Sequence, residues 1–231
     1  MGWHNDPYKA FKAEGVGVVQ RPARGEIKYF IGLDLGQRQD YTALSIIERH
    51  GKEIANPSEE DKQKPLTTYD VRHLQRYALG TPYPAIVADV AEMLKQEPLD
   101  KGEVTLVIDA TGVGTPVVDM FKRERLPCKL IAVTITGGSE VTHQGQIYNV
   151  PKRDLVSTAQ VLLQSGRLKI AKGLSEAKVL VQELENFQVK IPLAENDTYG
   201  AWREGTHDDL VLSVALACWK ASRPGYEWSW C

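Results

Sequence analysis

The sequence Tyr29-Phe-Ile-Gly-Leu-Asp-Leu-Gly-Gln37 decides the fold expected for this chain. Ile31, Leu33 and Leu35 recur at alternate positions within an apolar run, which is typical of a strand buried on both faces. Asp34 lies inside this run, and an ionised carboxylate in an apolar interior requires a partner or a metal ion. No lysine or arginine lies on the same face within two residues. The stretch therefore predicts a buried strand that carries a functional acid.

Two later segments also place acids at the end of an apolar element. Asp109 ends the run Thr-Leu-Val-Ile-Asp, and Asp208 and Asp209 open an apolar helix. In open α/β sheets, strand ends and helix starts converge where chemistry collects. The alternative interpretations are a turn-forming role for Asp109 and a helix N-cap with a first-turn acid for the pair. Together with Asp34, these positions predict one divalent-metal site.

The ligand types indicate which metal and which reaction to expect. Carboxylate oxygens without cysteine or clustered histidine favour Mg²⁺ or Mn²⁺ over zinc. Two such ions, held by shared carboxylates, activate a water and stabilise the leaving oxygen in phosphodiester hydrolysis. Asp40 is a candidate outer ligand, with turn formation as the alternative. His207, beside the acidic pair, is a candidate for contact with metal or phosphate, with a turn role as its alternative.

The remaining pattern predicts an α/β fold with a mixed sheet, an antiparallel hairpin plus parallel strands, flanked by helices. The strands are expected at residues 29–36, 41–48, 66–78, 105–109, 128–136 and 167–170, with short ones at 187–191 and 199–201. The helices are expected at residues 84–96, after 111–116, and at 150–163, 175–186 and 208–221. An exposed excursion is expected at 51–65, and a protruding hairpin or loop before residue 149.

Length and composition limit the class of protein. With 231 residues, 42% of them hydrophobic and 25% charged, the chain predicts one large domain with a sizeable core. A net charge of −2 does not by itself indicate a nucleic-acid partner. The three cysteines have no metal-ligand spacing and fit a reducing compartment. No apolar run is long enough to span a membrane, so a soluble intracellular protein is expected.

Four stretches resemble the C-terminal nuclease domain of tailed-phage large terminase subunits, which has an RNase H-like fold. They are Ile31-Gly-Leu-Asp-Leu-Gly, Val107-Ile-Asp-Ala-Thr-Gly-Val-Gly114, Val150-Pro-Lys-Arg-Asp-Leu155 and Thr206-His-Asp-Asp-Leu-Val211. The resemblance covers about residues 28 to 221. It implies that the family's three acids fall on Asp34, Asp109 and one of Asp208 and Asp209, with Asp209 favoured.

The resemblance also implies an activity and its partners. The expected activity is metal-dependent cleavage of concatemeric viral double-stranded DNA during genome packaging in the host cytoplasm. The family's partners are an ATPase domain, the small terminase subunit and the portal protein. This sequence contains no Walker phosphate loop, which predicts a nuclease module without the motor and monomeric in isolation. We expect residues 1–27 to be an arm or linker remnant, 28–223 the nuclease domain, and 224–231 an aromatic tail.

Several basic residues are candidates for contact with the DNA backbone. Lys152 and Arg153 are the stronger ones, because a helix start disfavours cations and their placement there suggests attraction of phosphate. The weaker candidates are Arg72, Arg76, Arg167 and Lys169. Charged residues on helices are more often a solvated face, and no aromatic residues alternate with these cations to suggest sequence-specific readout.

Three alternatives to this function stay open at the level of sequence. Holliday-junction resolvases and transposase-like enzymes share the order of acids. An actin-like or sugar-kinase-like nucleotide-binding protein begins with a similar Gly-Leu-Asp-Leu-Gly turn, although this chain is short for that duplicated fold. A non-catalytic DNA-binding packaging module, whose acids only cap helices and form turns, is the third.

Overall fold

The computed structural model describes residues 27–36, 40–51, 67–188 and 208–223. Several sequence-based expectations lie outside these residues. They concern most of the N-terminal arm, nearly all of the excursion at 51–65, the short strand at 199–201, His207 and the aromatic tail.

An eight-stranded mixed sheet forms the centre of the fold, in the order β6-β7-β5-β4-β1-β2-β3-β8. The strands are β1 (Ile27–Asp34), β2 (Ala43–Gly51), β3 (Thr67–Arg76), β4 (Glu103–Asp109), β5 (Lys129–Thr136), β6 (Thr142–Gln144), β7 (Ile147–Pro151) and β8 (Leu168–Ile170). β2 and β6 run antiparallel to their neighbours, and the other pairings are parallel. We call the end of the sheet at which the carboxyl ends of β1 and β4 lie the carboxyl edge. The end at which their amino ends lie is the amino edge.

Helices cover both faces of the sheet. They are α1 (Tyr83–Met93), α2 (Gly114–Arg123), α3 (Lys152–Gln164), α4 (Ala177–Gln188) and α5 (Asp209–Ala221), and a short 3₁₀ turn spans Leu99–Lys101. Apolar residues of α1 and α2 pack on one face, and those of α3, α4 and α5 pack on the other. No helix in the described part of the chain has both the length and the apolar character needed to cross a bilayer.

α5 is the central helix, and nearly all of its residues are buried. It is apolar around its whole circumference because the sheet lies on one side and α3 and α4 pack against the other. Gly32 of β1 permits this packing: a Cβ atom there would lie 1.8 Å from the carbonyl oxygen of Ser213 and 3.1 Å from the backbone nitrogen of Ala217. The absence of a side chain at Gly32 therefore allows α5 to lie directly against β1.

The structure confirms the antiparallel hairpin of β1 and β2, the parallel strands and the helical layers. The segment before residue 149 forms a hairpin as expected, because β6 pairs antiparallel with β7. The hairpin also extends the sheet, because β7 pairs in parallel with β5. The helix expected from Val150 begins at Lys152, since Val150 and Pro151 finish β7. The short strand expected at 187–191 is wrong at its start, where Phe187 and Gln188 are the last residues of α4.

Candidate metal centre

Three acidic residues from distant parts of the chain meet at the carboxyl edge. Asp34 is the last residue of β1, Asp109 is the last residue of β4, and Asp209 is the first residue of α5. Their exposed fractions are only 8%, 6% and 6%. Burial of three carboxylates so close to an apolar core is costly unless cations or hydrogen bonds compensate it.

Local structure holds two of these side chains in place. After Asp34 the chain turns at Gly36, where a Cβ atom would lie 2.3 Å from the carbonyl oxygen of Asp40. The N–H of Gly36 donates to Oγ1 of Thr42 at 3.1 Å, which closes the turn. After β4, Oδ1 of Asp109 accepts the N–H of Thr111 at 2.7 Å. The turn-forming role considered for Asp109 is therefore real, and it also orients the carboxylate.

The acids interact electrostatically. Burial raises the pKa of the Asp34 carboxyl well above its ordinary value, and the negative charges of Asp109, Asp209 and Asp208 raise it further. The positive charge of Lys152 opposes this rise. Among the charges that act on Asp34, three carboxylates raise its pKa and Lys152 lowers it, so divalent cations would stabilise this cluster.

Asp208 and Lys152 form the boundary of the cluster. Nζ of Lys152, the first residue of α3, lies 3.3 Å from Oδ2 of Asp208, and both side chains are about three-quarters buried. Asp208 occupies the N-cap position of α5, but its side chain makes no capping hydrogen bond. The simple N-cap interpretation of Asp208 is therefore wrong in this structure.

The donor set of the carboxyl edge fits hard divalent cations, because the candidate ligands among the described residues are carboxylate oxygens. Within the described residues, the one set of three potential ligand atoms that all lie within 4.8 Å of one another is formed by Glu48, His50 and Asp70, elsewhere in the fold. The acids of the carboxyl edge are spaced more widely than that.

The two outer candidates are only partly described. Asp40 lies in the turn between β1 and β2, where its backbone packs against Gly36. Its role as an outer ligand stays a prediction. His207 lies outside the described residues, so its contact with metal or phosphate also stays a prediction.

The candidate DNA contacts divide between the two edges of the sheet. Lys152, Arg153 and Arg76 lie at the carboxyl edge, near the acids. Arg153 is mostly exposed and donates to the carbonyl oxygen of Ser139 at 2.9 Å. Arg76 pairs with Glu176 at 3.1 Å. Contact between these three residues and DNA stays a prediction.

The other three candidates lie away from the acids. Arg167 precedes β8 at the amino edge, donates to the carbonyl oxygen of Thr67 at 2.8 Å and lies over the ring of Tyr69. Lys169 of β8 pairs in register with Asp70. Arg72 makes ion pairs with Glu48 of β2 and with Asp70 of its own strand. Internal partners therefore account for these cations, and their contact with DNA stays a prediction.

Sequence reasoning missed Glu183 of α4, which belongs to the surroundings of Asp209. Its exposed fraction is 6%, and its Oε2 accepts the N–H of Val211 at 3.1 Å. Burial raises the pKa of Glu183 to about 7, while backbone N–H groups oppose the rise and Asp209 adds to it. The sequence contains one sign of this role: Glu183 lies on the same helical face as the buried Leu180, where an apolar residue is expected.

Glu48, His50, Asp70 and Arg72 form a second charged cluster, nearer the amino edge. Arg72 donates through two nitrogens to the two carboxylate oxygens of Glu48, at 3.2 and 3.1 Å. Nε2 of His50 lies 2.6 Å from Glu48 and 3.6 Å from Asp70. These interactions with Asp70 and Glu48 raise the pKa of His50 to about 9. Two cationic and two anionic groups balance, so we describe this cluster as an ion-pair network.

The ion-pair network predicts a pH dependence of stability. Because the pKa of His50 rises from 6.5 to about 9 on folding, its stabilisation is complete below pH 6.5 and is lost as pH rises through about 9. Partial exposure limits the effect to about 1 kcal/mol. We expect His50→Gln to flatten the melting-temperature profile in this window, as measured by thermal unfolding. The exposed His143→Gln is the matched control, and an unchanged slope in His50→Gln would contradict the assignment.

Comparison with known proteins reveals similarity to viral terminases. The large terminase subunits of Thermus phage G20c and Thermus virus P23-45 are each 25% identical to this chain over 207 residues. The match covers 90% of this chain and 34% of each relative, so the chain spans about a third of their length.

Two solved structures are similar to this chain. The manganese-soaked terminase nuclease domain of human cytomegalovirus superposes with a TM-score of 0.50 and 12% identity, covering 91% of both chains. This match confirms the RNase H-like α/β fold. The zinc-bound large terminase nuclease of phage G20c matches with a TM-score of 0.47 and 21% identity, covering 85% of this chain and 81% of that one.

A family model decides the assignment. The model of the terminase RNase H-like domain matches residues 31–220, a range that contains all the acids of the carboxyl edge. On this match, the chain belongs to the terminase RNase H-like domain family.

Proposed function

We propose that this chain is a metal-dependent DNA endonuclease that cleaves concatemeric viral double-stranded DNA during genome packaging. The observation that carries the proposal is the meeting of Asp34, Asp109 and Asp209, all more than nine-tenths buried, at the carboxyl edge. The names of the related proteins support it, since they are terminase large subunits and terminase nuclease domains. Membership of the family disfavours the nucleotide-binding alternative.

Each acid has a role in this proposal. Asp34, Asp109 and Asp209 hold Mg²⁺ or Mn²⁺, with two ions expected, and Asp208 is the further candidate ligand. The bound cations supply an activated water and neutralise charge on the leaving oxygen of the phosphodiester. β1 fixes the position of Asp34, and the N–H of Thr111 orients the carboxylate of Asp109. Burial keeps bulk water away from the acids and strengthens every charge interaction there.

Lys152 and Arg153 attract the DNA backbone in this proposal. Both lie at the start of α3 on the carboxyl edge, and Lys152 already lies beside the acids. Contacts with phosphate carry no sequence information, so we expect cleavage with little sequence preference. In the infected cell the module would act in the host cytoplasm, together with an ATPase motor, the small terminase subunit and the portal protein.

Digestion of supercoiled plasmid tests this function. We expect nicked and linear products with Mn²⁺ or Mg²⁺, none with EDTA, and no acceleration by ATP. Because phosphate contacts release counterions, cleavage should fall steeply between about 50 and 200 mM salt. Agarose gels measure both effects, and Asp34→Asn purified in the same way is the control for contaminating nuclease. Equal cleavage with EDTA, or none with any divalent ion, would contradict the proposal.

A further inference from the structure

The start of α5 is capped by a residue from another helix. In most helices the N-cap side chain accepts the N–H groups of the second or third helical residue. Here the N-cap residue Asp208 makes no such bond, and Oε2 of Glu183 accepts the N–H of Val211 at 3.1 Å instead. The N–H of Leu210 also interacts with this carboxylate. α4 thus supplies the cap that α5 lacks.

Glu183 is more deeply buried than a helix cap requires. Its exposed fraction is 6%, and its Oε1 has no hydrogen-bond partner within the described part of the chain. An ionised carboxylate in this position is costly, and leucine would fill the apolar face of α4 at lower cost. The residue that follows Asp208 and precedes the capped N–H groups is Asp209. The costly carboxylate therefore fixes the helical turn that carries an acid of the metal centre.

We propose that Glu183 is a positioning residue for the metal centre: by capping α5, it orients Asp209 toward Asp34 and leaves Asp208 available to Lys152. This inference rests on the proposed function. If Asp208 capped the helix itself, its carboxylate would turn toward the N–H groups of α5 and away from Nζ of Lys152, now 3.3 Å away. The cap supplied by α4 thus separates helix capping from metal binding.

Two substitutions separate the reach of Glu183 from its charge. Glu183→Gln keeps the length and an acceptor oxygen without the charge, whereas Glu183→Asp keeps the charge but is one methylene too short for the same bond. We expect Glu183→Gln to bind Mn²⁺ within about threefold of the wild-type affinity. We expect Glu183→Asp to bind about 10-fold more weakly or worse, as for other residues that orient metal ligands. Isothermal titration calorimetry well below the melting temperature measures both affinities.

Controls make the outcome decisive. Glu185→Gln and Glu185→Asp, at an exposed position of the same helix, should change neither the affinity nor the melting temperature. A purely structural cap would lower the melting temperature of Glu183→Asp and leave the Mn²⁺ affinity unchanged, which would overturn the inference. Weak binding by Glu183→Gln with tight binding by Glu183→Asp would overturn it as well. If the wild-type protein bound no Mn²⁺, the proposed function itself would fail, so the two failures are distinguishable.

Discussion

Asp34→Asn is expected to reduce DNA cleavage at least about a hundredfold and to raise the melting temperature of the metal-free protein. The loss of activity is expected because Asp34 is a proposed metal ligand. Replacement of residues that only orient metal ligands already lowers metal affinity or activity about 10- to 100-fold. Removal of the Asp34 charge should therefore lower the rate of DNA cleavage by at least the upper end of that range, about 100-fold.

The gain in stability has the opposite origin. Burial and the neighbouring acids raise the pKa of Asp34 in the folded protein, so its ionised form destabilises the fold. This cost grows as pH rises from the ordinary pKa of 3.8 through the folded value, and it is fully present above that value. Asparagine has nearly the same shape and no charge. A carboxylate that destabilises the metal-free fold but is needed for cleavage is an expected case of the trade-off between stability and activity.

Plasmid cleavage and thermal unfolding in EDTA measure the two effects. Asp100→Asn, at an exposed position of the 3₁₀ turn, is the matched control and should change neither. Addition of Mn²⁺ should raise the melting temperature of the wild type and of Asp100→Asn more than that of Asp34→Asn. Nicking by Asp34→Asn at the wild-type rate would remove the metal centre from the mechanism.

The sequence predicts the positions of Asp34 and Asp109 at the ends of buried strands because both signals are local. A carboxylate within or directly after a buried apolar run has few structural explanations, and parallel strands bring such residues to one edge of the sheet. The start of α5 was also visible, because an apolar helix after two acids has a clear boundary. These elements and the hairpin of β1 and β2 depend on periodicity over short distances.

Glu183 and the ion-pair network depend on tertiary contacts that no local pattern contains. Glu183 lies 28 residues from Val211 in the chain, and its role appears only when α4 packs against α5. Arg72 stays a candidate DNA contact, and its hydrogen bond to Glu48 of β2 could not be predicted from the sequence. Sequence patterns predict which residues are buried, whereas the pairing of buried charges requires the fold.

Gly32→Ala is expected to destabilise the protein by about 3 kcal/mol or more, the upper end of the cost of overpacking a core. The added methyl group would lie 1.8 Å from the carbonyl oxygen of Ser213, which belongs to the backbone of α5 and cannot rotate away. Relief requires α5 to move off β1. For a domain of this size, a loss of about 3 kcal/mol lowers the melting temperature by about 6–12 °C.

The same movement of α5 would displace Asp209. Gly32→Ala should therefore also weaken Mn²⁺ binding, although Gly32 itself is not a candidate metal ligand. Gly173→Ala is the matched control, because a Cβ atom at that exposed position meets nothing within 4 Å. Urea or thermal unfolding gives the stability, and calorimetric titration at low temperature gives the affinity. If Gly32→Ala melted within about 2 °C of Gly173→Ala, the close packing of β1 against α5 would be wrong. The placement of Asp209 beside Asp34 would then lose its structural basis, because that placement depends on the approach of the helix to the strand.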